Sequence, residues 1–460
     1  MKILNLILAS ILTFPSLAMI IDTSFDRGDY IEIFGNKKLT PLWSQEYIGS
    51  DLIQDELKDL NLSPVDLAIY DLGFEQDYVT LTEPIDVPYQ RNGNRRMRSH
   101  HGTSVASVIN GPYPFGHTSQ INLIQLGSIH YSGMYRYYYN KLEAEGRYPK
   151  IISNSLGWNS ESILEVVNRA DKKGVLWFLA SGNRWPEKVR ELEIKSKAML
   201  VGSFSPLGLT TFGTQLHNDM LILAPANSEL LAIDGHGKRT LFGGTSGATP
   251  VVAATMANIA SLWPKIDRAN TIKLLKNTAF YSAENKIGNL KAPRLLNAYK
   301  AFKVAQRILS YCRSEDNVKS CFDQSLDKPS FHFFDLDLIT CSEFKKIDRD
   351  FKNDLLKKMR RRALLGIRFQ DEHLSCAYES IGFDANAEFY SFRSQQDHIN
   401  FDAYLEDTLD ALYQGVFEIS YYKYLNKMSK MNKEKIRNSI NNSYELSDYH
   451  KQTLLEFIHE

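Results

Sequence analysis

The sequence predicts an α/β fold in which helices cover both faces of a parallel sheet, followed by a smaller, mainly helical domain. Short apolar runs that are typical of buried strands alternate with helix-period stretches between residues 65 and 246. Such alternation favours parallel strands joined by crossover helices. Helical patterns dominate after Phe344 and include a long one over 402–427. With 460 residues, 43% of them hydrophobic, the chain is long enough for two or three packed domains.

The candidate strands are short, mainly apolar runs bounded by turn residues. They span residues 65–70, 121–126, 151–156, 175–180, 198–202 and 220–224. Between two of them, the apolar side chains over 163–170 repeat at helix spacing, and the pattern stops at Gly174. The run over 251–263 is apolar or small on nearly every face, which predicts a buried helix.

The N-terminal segment, residues 1–18, has the features of a secretory signal peptide. One Lys precedes an apolar stretch, and small residues follow up to Ala18. The stretch is shorter than the roughly 20 apolar residues that a membrane-spanning helix needs. We therefore expect cleavage near Ala18, export of the chain and no membrane span. Residues 19–41 then form a short lead segment, too short for a globular propeptide.

Asp71 and Asn183 each follow a candidate strand. Open α/β sheets build their sites at the carboxyl ends of their strands, so Asp71 is placed for function. Each also has a simpler interpretation, because Asp and Asn are common turn residues.

His101 opens the sequence His-Gly-Thr-Ser-Val-Ala, which begins a helical pattern with an apolar face over 105–109. A lone His at a helix start is more often a cap or a surface group. The Gly-Thr that follows bears on this choice only through the family resemblance given below, which favours His101 over its neighbour His100 as a catalytic base.

Ser246 lies in the sequence Gly-Thr-Ser-Gly-Ala-Thr-Pro, immediately before the buried helix. Pro250 fits the first turn of that helix, and the glycines permit close backbone approach. A Gly-rich helix cap would explain the motif by itself. The motif also nearly fits the Gly-x-Ser-x-Gly elbow of α/β-hydrolases, but there the acid and the His follow the Ser, whereas here they precede it.

Together, the four residues supply an acid, a base, an amide donor and a hydroxyl nucleophile. A serine hydroxyl needs a neutral imidazole to take its proton, and a carboxylate to orient that imidazole. The oxyanion that forms needs a preplaced donor, which an Asn side chain provides. The set indicates acyl transfer.

In their order and spacing, the motifs resemble those of the subtilisin-like (subtilase) serine peptidases over residues 42–300. The resemblance implies a secreted endopeptidase that hydrolyses peptide bonds through a triad and an acyl-enzyme. Asp71, His101 and Ser246 would form the triad. Asn183 would donate to the oxyanion, together with the backbone N–H of Ser246.

By the same resemblance, Gly127 and the segment Ser155, Leu156 and Gly157 would bind the substrate backbone and line the primary specificity pocket. Ordinary turns explain these Gly-containing strand ends equally well.

Some positions depart from the family pattern. Leu72 stands where Thr or Ser is usual, Ser107 where Gly is usual, and His100 where Gly or Ser is common. His101 and Asn183 are the residues of subtilases rather than the Glu and Asp of the acid-active sedolisins, which implies an optimum at neutral or alkaline pH. An inactive binding protein that keeps the subtilase fold is the alternative function.

The chemistry requires no cofactor and no metal. Structural calcium sites are common in the family, and no acidic loop of this chain decides whether it has one. Equal numbers of basic and acidic residues, 54 of each, give no argument for a nucleic-acid partner. We interpret the basic run over 357–362 as a solvated helix face. The expected partners are polypeptide substrates, and the expected state is a monomer.

We expect a peptidase domain over 42–305 and a mainly helical C-terminal domain over 306–460, which holds all four cysteines. An even number of cysteines in an exported chain indicates two disulfides. Four cysteines allow three pairings, and proximity in sequence favours Cys312–Cys321 and Cys341–Cys376. A metal or thiol-catalysis role is less favoured, because no Cys-x-x-Cys and no His cluster accompany them.

The C-terminal region carries enough apolar helical pattern to pack. We hypothesise that it docks on the catalytic domain and either stabilises it or limits substrate access. An independent adhesion or targeting module is the alternative.

Overall fold

The structure of the chain is a computed structural model. It describes residues 30–33, 37–71, 74–75, 83–84, 100–112, 114–126, 133–157, 161–185, 187–211, 213–227, 229–280, 286–287, 290–291, 293–312, 321, 338–366 and 370–395. The expected signal peptide over 1–18 and the long helical pattern over 402–427 lie outside these ranges.

The described strands comprise one large sheet and three two-stranded hairpins. They are β1 Ile31–Ile33, β2 Lys37–Leu39, β3 Val65–Tyr70, β4 Glu83–Pro84, β5 Ile121–Gln125, β6 Ile151–Asn154, β7 Leu176–Ala180, β8 Met199–Phe204, β9 Ile222–Pro225, β10 Leu230–Ile233, β11 Arg239–Phe242, β12 Lys286–Ile287 and β13 Leu290–Lys291. The large sheet has the order β4-β5-β3-β6-β7-β8-β9, and every neighbouring pair in it is parallel. The predicted parallel α/β sheet is therefore confirmed, and each strand predicted from the sequence overlaps a strand of it.

Helices precede and follow these strands. They are α1 Trp43–Ile48, α2 Ser50–Leu57, α3 His100–Asn110, α4 Gly133–Ala144, α5 Glu161–Lys172, α6 Glu191–Lys195, α7 Gly244–Leu262, α8 Arg268–Thr278, α9 Ala298–Cys312, α10 Cys341–Lys346, α11 Lys352–Leu364, α12 Gln370–Ser380 and α13 Asp384–Gln395. No helix within the described ranges is long and apolar enough to cross a membrane.

Helices cover both faces of the sheet. Successive side chains of β3 alternate between two cores, because strand residues point to opposite faces. Leu67 and Ile69 pack in the core shared with α3, α7 and α9, whereas Ala68 and Tyr70 pack with α4 and α5. A strand that is buried on both sides carries apolar residues without alternation, which explains the continuous apolar runs in the sequence.

The central helix α7 begins earlier than the sequence predicts. Its side chains from Gly247 to Ser261 are buried, as expected for a helix without a polar stripe. The helix starts at Gly244, however, so Pro250 lies in its second turn and not in its first. The expectation for Pro250 was wrong because the Gly-rich motif is itself helical.

The C-terminal helices α10 to α13 pack on the α/β part of the chain and share its larger core. Tyr47 of α1 stacks on Phe389 of α13, with ring centroids 3.7 Å apart and planes 4° apart. Arg360 of α11 makes a two-pronged ion pair with Asp51 of α2, at 3.1 and 2.7 Å. The region is therefore docked. Helix α9 runs through the expected boundary at residue 305, and the division into two domains stays a prediction.

Close approach at this interface requires a glycine. Gly49 joins α1 to α2 with a φ of 74°, and a Cβ added to it would lie 2.5 Å from Leu364 Cδ1. Only glycine adopts that backbone conformation at little cost and leaves room for α11.

The two disulfides join Cys312 to Cys321 and Cys341 to Cys376. These are the pairings that proximity in sequence favoured.

Candidate active site

Asp71 and His101 meet at the carboxyl end of β3. Asp71 is the first residue after that strand and is fully buried, and His101 lies in the first turn of α3. Asp71 Oδ1 and His101 Nδ1 are 2.6 Å apart. With the Nδ1 proton held by the carboxylate, Nε2 of the neutral imidazole is left as a proton acceptor.

The surroundings of His101 favour its charged form on balance. Burial lowers the pKa of the imidazole, but the charge of Asp71 and the hydrogen bond to it act in the opposite direction and prevail, so the pKa is raised above its usual 6.5. The side chain is 29% exposed, which leaves one edge of the ring open to a ligand. Phe242 of β11 packs edge-on against the ring, with centroids 5.4 Å apart.

Ser246 is the third residue of α7, so its backbone N–H lies in the first turn and has no partner within the helix. Its hydroxyl donates to the Ser155 carbonyl at 3.2 Å. Within the described ranges, no hydrogen bond joins it to His101. Catalytic hydrogen bonds are often long or misaligned in structures without substrate, so this geometry does not disqualify the pair.

Pro250 explains a second link between Ser246 and Ser155. A proline has no N–H, so it cannot donate to the carbonyl four residues earlier, which is that of Ser246. The Ser155 hydroxyl donates to this carbonyl instead, at 2.9 Å. The start of α7 is thereby tied to the end of β6.

Asn183, which follows β7, is held by the residue before Ser246. Its Oδ1 accepts hydrogen bonds from the Thr245 N–H at 2.8 Å and from the Thr245 hydroxyl at 3.0 Å. An N–H can only donate, so the bonded amide atom is the oxygen, and the NH2 group remains available as a donor. Gly244 permits this contact, because a Cβ added there would lie 2.8 Å from Asn183 Oδ1, and its φ is 64°.

The expected substrate-binding residues lie beside this cluster. Ser155, Leu156 and Gly157 follow β6, the neighbour of β7, and the Leu156 N–H donates to Asn154 Oδ1 at 3.0 Å. Gly127 lies outside the described residues.

The structure thus brings the described sequence-predicted residues to one edge of the sheet in two groups. Asp71 pairs with His101, and Ser246 is joined to Ser155 directly and to Asn183 through Thr245. Sequence reasoning missed the roles of Thr245 and Phe242. The position of Thr245, inside the quoted motif and next to Ser246, was the available signal for the first.

Comparison with known proteins finds one family to which the chain is similar in sequence. A sequence model described as "Peptidase_S8: Subtilase family" matches residues 21–303, which is more than half of the chain. Among curated proteins, none matches the chain significantly. A solved structure, the Prenylagaramide maturation protease PagA, is similar with 20% sequence identity and a TM-score of 0.44, over 55% of this chain and 97% of that one.

Proposed function

Because the chain belongs to the subtilase family of serine peptidases, we propose that it is an exported endopeptidase whose triad is Asp71, His101 and Ser246. The observation that carries the proposal is the 2.6 Å pair of a buried carboxylate and an imidazole at the sheet edge that also bears Ser246. Both disulfides support an oxidising, extracytoplasmic location. We further propose that it acts as a monomer on polypeptides.

In the proposed mechanism, Ser246 Oγ attacks the carbonyl carbon of the peptide bond, and its proton passes to His101 Nε2. Asp71 stabilises the imidazolium that forms. The amide NH2 of Asn183 and the backbone N–H of Ser246 donate to the oxyanion. The imidazolium then protonates the leaving amine, which leaves an acyl-enzyme. Water attacks the ester with His101 again as the base, and the acid product leaves.

One rearrangement precedes the first step. The Ser246 hydroxyl, which donates to the Ser155 carbonyl, rotates about χ1 towards His101 when substrate occupies the site. This starting geometry is also the observation that favours the second candidate, an inactive binding protein with the subtilase fold.

The proposed mechanism fixes the direction of the pH dependence. His101 acts as a base only when neutral, and its pKa is raised above 6.5. Activity is therefore expected to fall as pH drops through that raised value and to be highest at neutral to alkaline pH.

Hydrolysis of a peptide that is acetylated at its N-terminus and amidated at its C-terminus tests the proposal. We expect internal cleavage, which an exopeptidase could not begin, and loss of it in Ser246→Ala. The loss should be on the order of a million-fold in kcat, the size found for this substitution in subtilisin. Equal turnover by Ser246→Ala would end the triad assignment, and an intact peptide with the wild-type chain would favour the binding protein.

A further inference from the structure

The segment after β6 places Gly157 beside the reacting groups. Ser155 is bonded to Ser246 in both directions, by its carbonyl and by its hydroxyl. Gly157 is two residues further on, and two extended residues span at most about 7 Å. Gly157 is therefore within reach of the side chain that precedes the scissile bond of a substrate attacked by Ser246.

Two charged side chains lie against Gly157. A Cβ added to Gly157 would lie 3.4 Å from Arg190 Nη1 and 3.3 Å from Glu193 Oε1. Arg190 is exposed, whereas Glu193 is 4% exposed. Arg190 is therefore accessible from solvent, whereas Glu193 is not.

The loop that carries Arg190 is held by hydrogen bonds from Gln215. The Gln215 side chain donates to the carbonyls of Glu187 and Lys188 at 3.1 and 2.7 Å, and Val189 is buried. Arg190 is also the N-cap residue of α6, and its carbonyl accepts the N–H groups of Glu193 and Ile194 at 3.0 and 3.1 Å. The backbone that carries the Arg190 side chain is thereby held in place beside Gly157.

We infer that Arg190 binds the acidic side chain of the substrate residue before the scissile bond, so that the chain cleaves preferentially after Glu or Asp. This inference rests on the proposed peptidase function and names its substrate class. A guanidinium has five N–H donors in a planar fork, which lets it serve a ligand carboxylate in two-pronged fashion while keeping other partners. Arg184, the exposed residue next to Asn183, adds a second positive charge at the same edge.

The test compares blocked peptides that differ only in the residue before the scissile bond, which is Glu, Gln, Leu or Lys. Glu and Gln have the same shape, so their kcat/KM ratio isolates the charge. A hydrogen bond to a charged group contributes about 1.5–3 kcal/mol, so we expect the wild-type chain to prefer Glu over Gln by about 10- to 100-fold. Arg190→Ala should abolish that ratio, and Arg190→Lys should reduce it.

Lys188→Ala is the matched control, because Lys188 is an exposed cation of the same loop whose side chain makes no described contact with Gly157. It should keep the wild-type ratio. Equal cleavage after Glu and Gln, a preference for Lys, or a Glu preference that survives in Arg190→Ala would overturn the inference.

Binding separates this inference from the proposed function. Isothermal titration of the Glu and Gln peptides into Ser246→Ala measures their dissociation constants in the absence of hydrolysis. Suppose that the wild-type chain hydrolyses no peptide, but that the Glu peptide binds more tightly than the Gln peptide and loses this advantage in Arg190→Ala. The role of Arg190 in binding an acidic side chain would then be supported, and the proposed peptidase function would be wrong. Hydrolysis without any Glu preference in either experiment would instead support the peptidase function and overturn the role of Arg190.

Discussion

The sheet edge and the C-terminal interface hold their polar side chains in opposite ways. At the edge, Asn183 is exposed and His101 is partly exposed, and each keeps a donor or acceptor that no described residue uses. At the interface, Arg360 is 3% exposed and its guanidinium is bonded to Asp51 and to the Glu46 carbonyl. The first arrangement leaves groups accessible to a ligand, and the second places charged groups in buried contacts between the two parts of the chain.

The comparison decides between two roles for the C-terminal helices. Their described contacts reach α1, α2, β2 and α9, through pairs such as Asn386 with Thr40 and Asn297 with Leu364. None of the described contacts reaches His101, Asn183 or Ser246. The geometry therefore favours stabilisation of the catalytic region over control of substrate access. Variants at the interface should change stability without changing kcat, whereas variants at the edge should lower kcat.

The largest effect on stability is expected for Arg360→Ala. Removal of one partner from a buried ion pair leaves the other charge uncompensated, which costs about 3–5 kcal/mol. Urea unfolding should show that loss in the free energy of unfolding, while peptide turnover under native conditions keeps its kcat. A changed kcat in the folded variant would mean that the interface does communicate with the site.

The corresponding variant at the sheet edge is Asn183→Ala. Loss of one oxyanion donor should lower kcat by about 100- to 1,000-fold, as in subtilisin, with little change in KM. Because Asn183 Oδ1 also accepts hydrogen bonds from the buried Thr245, the variant should lose about 1–3 kcal/mol of unfolding free energy as well, which urea unfolding measures. An unchanged kcat would move the oxyanion donor to another residue.

The next prediction concerns the pH dependence of stability and the buried carboxyl of Glu229, a residue that contacts Trp43 of α1. The Glu229 carbonyl accepts a hydrogen bond from Trp43 Nε1 at 2.9 Å. Burial raises the pKa of the Glu229 carboxyl to about 7, although hydrogen bonds from its own backbone and from Asn227 act to lower it. The folded chain thus holds this proton more tightly than the unfolded chain, whose pKa is near the ordinary 4.5.

The sign follows from this difference. The stability contributed by protonated Glu229 is fully present below pH 4.5 and is lost as pH rises through 7, at up to about 1.4 kcal/mol per pH unit. Glu229→Gln stays neutral, so its free energy of unfolding should vary less between pH 5 and pH 8 and should exceed that of the wild-type chain at pH 8. The control is Glu32→Gln, at an exposed position. A wild-type slope in Glu229→Gln would assign the pH dependence to other groups.

The smallest effect is expected for Lys357→Ala, one turn before Arg360 on α11. Lys357 pairs with Asp55 of α2 at 2.8 Å, but the two side chains are 45% and 36% exposed. Exposed pairs contribute at most about 1 kcal/mol. If Lys357→Ala destabilised the chain as much as Arg360→Ala, burial would not be what distinguishes the two pairs.

The sequence reveals much of the sheet edge and little of the interface, for a physical reason. Asp71, His101, Asn183 and Ser246 stand in local motifs, because each must sit at a particular strand or helix end. The strands were recognisable because burial on both faces demands continuous apolar runs.

Long-range pairs leave no such local signature. Arg360 lies in a basic run that we interpreted as a solvated helix face, and that interpretation was wrong for Arg360 because Asp51, more than 300 residues earlier, pairs with it. Similarly, nothing in the sequence around Gly157 indicates that Arg190 and Glu193 lie against it. Such contacts depend on how the elements pack, which the pattern of a single segment does not contain.

The most direct test of the central claim is labelling with a fluorophosphonate, which reacts only with an activated serine, followed by mass mapping of the labelled peptide. We predict one label, on Ser246, that forms faster at pH 8 than at pH 5, is absent from Ser246→Ala and forms far more slowly in His101→Ala. An unlabelled wild-type chain, or a label on another serine such as Ser155, would contradict the account.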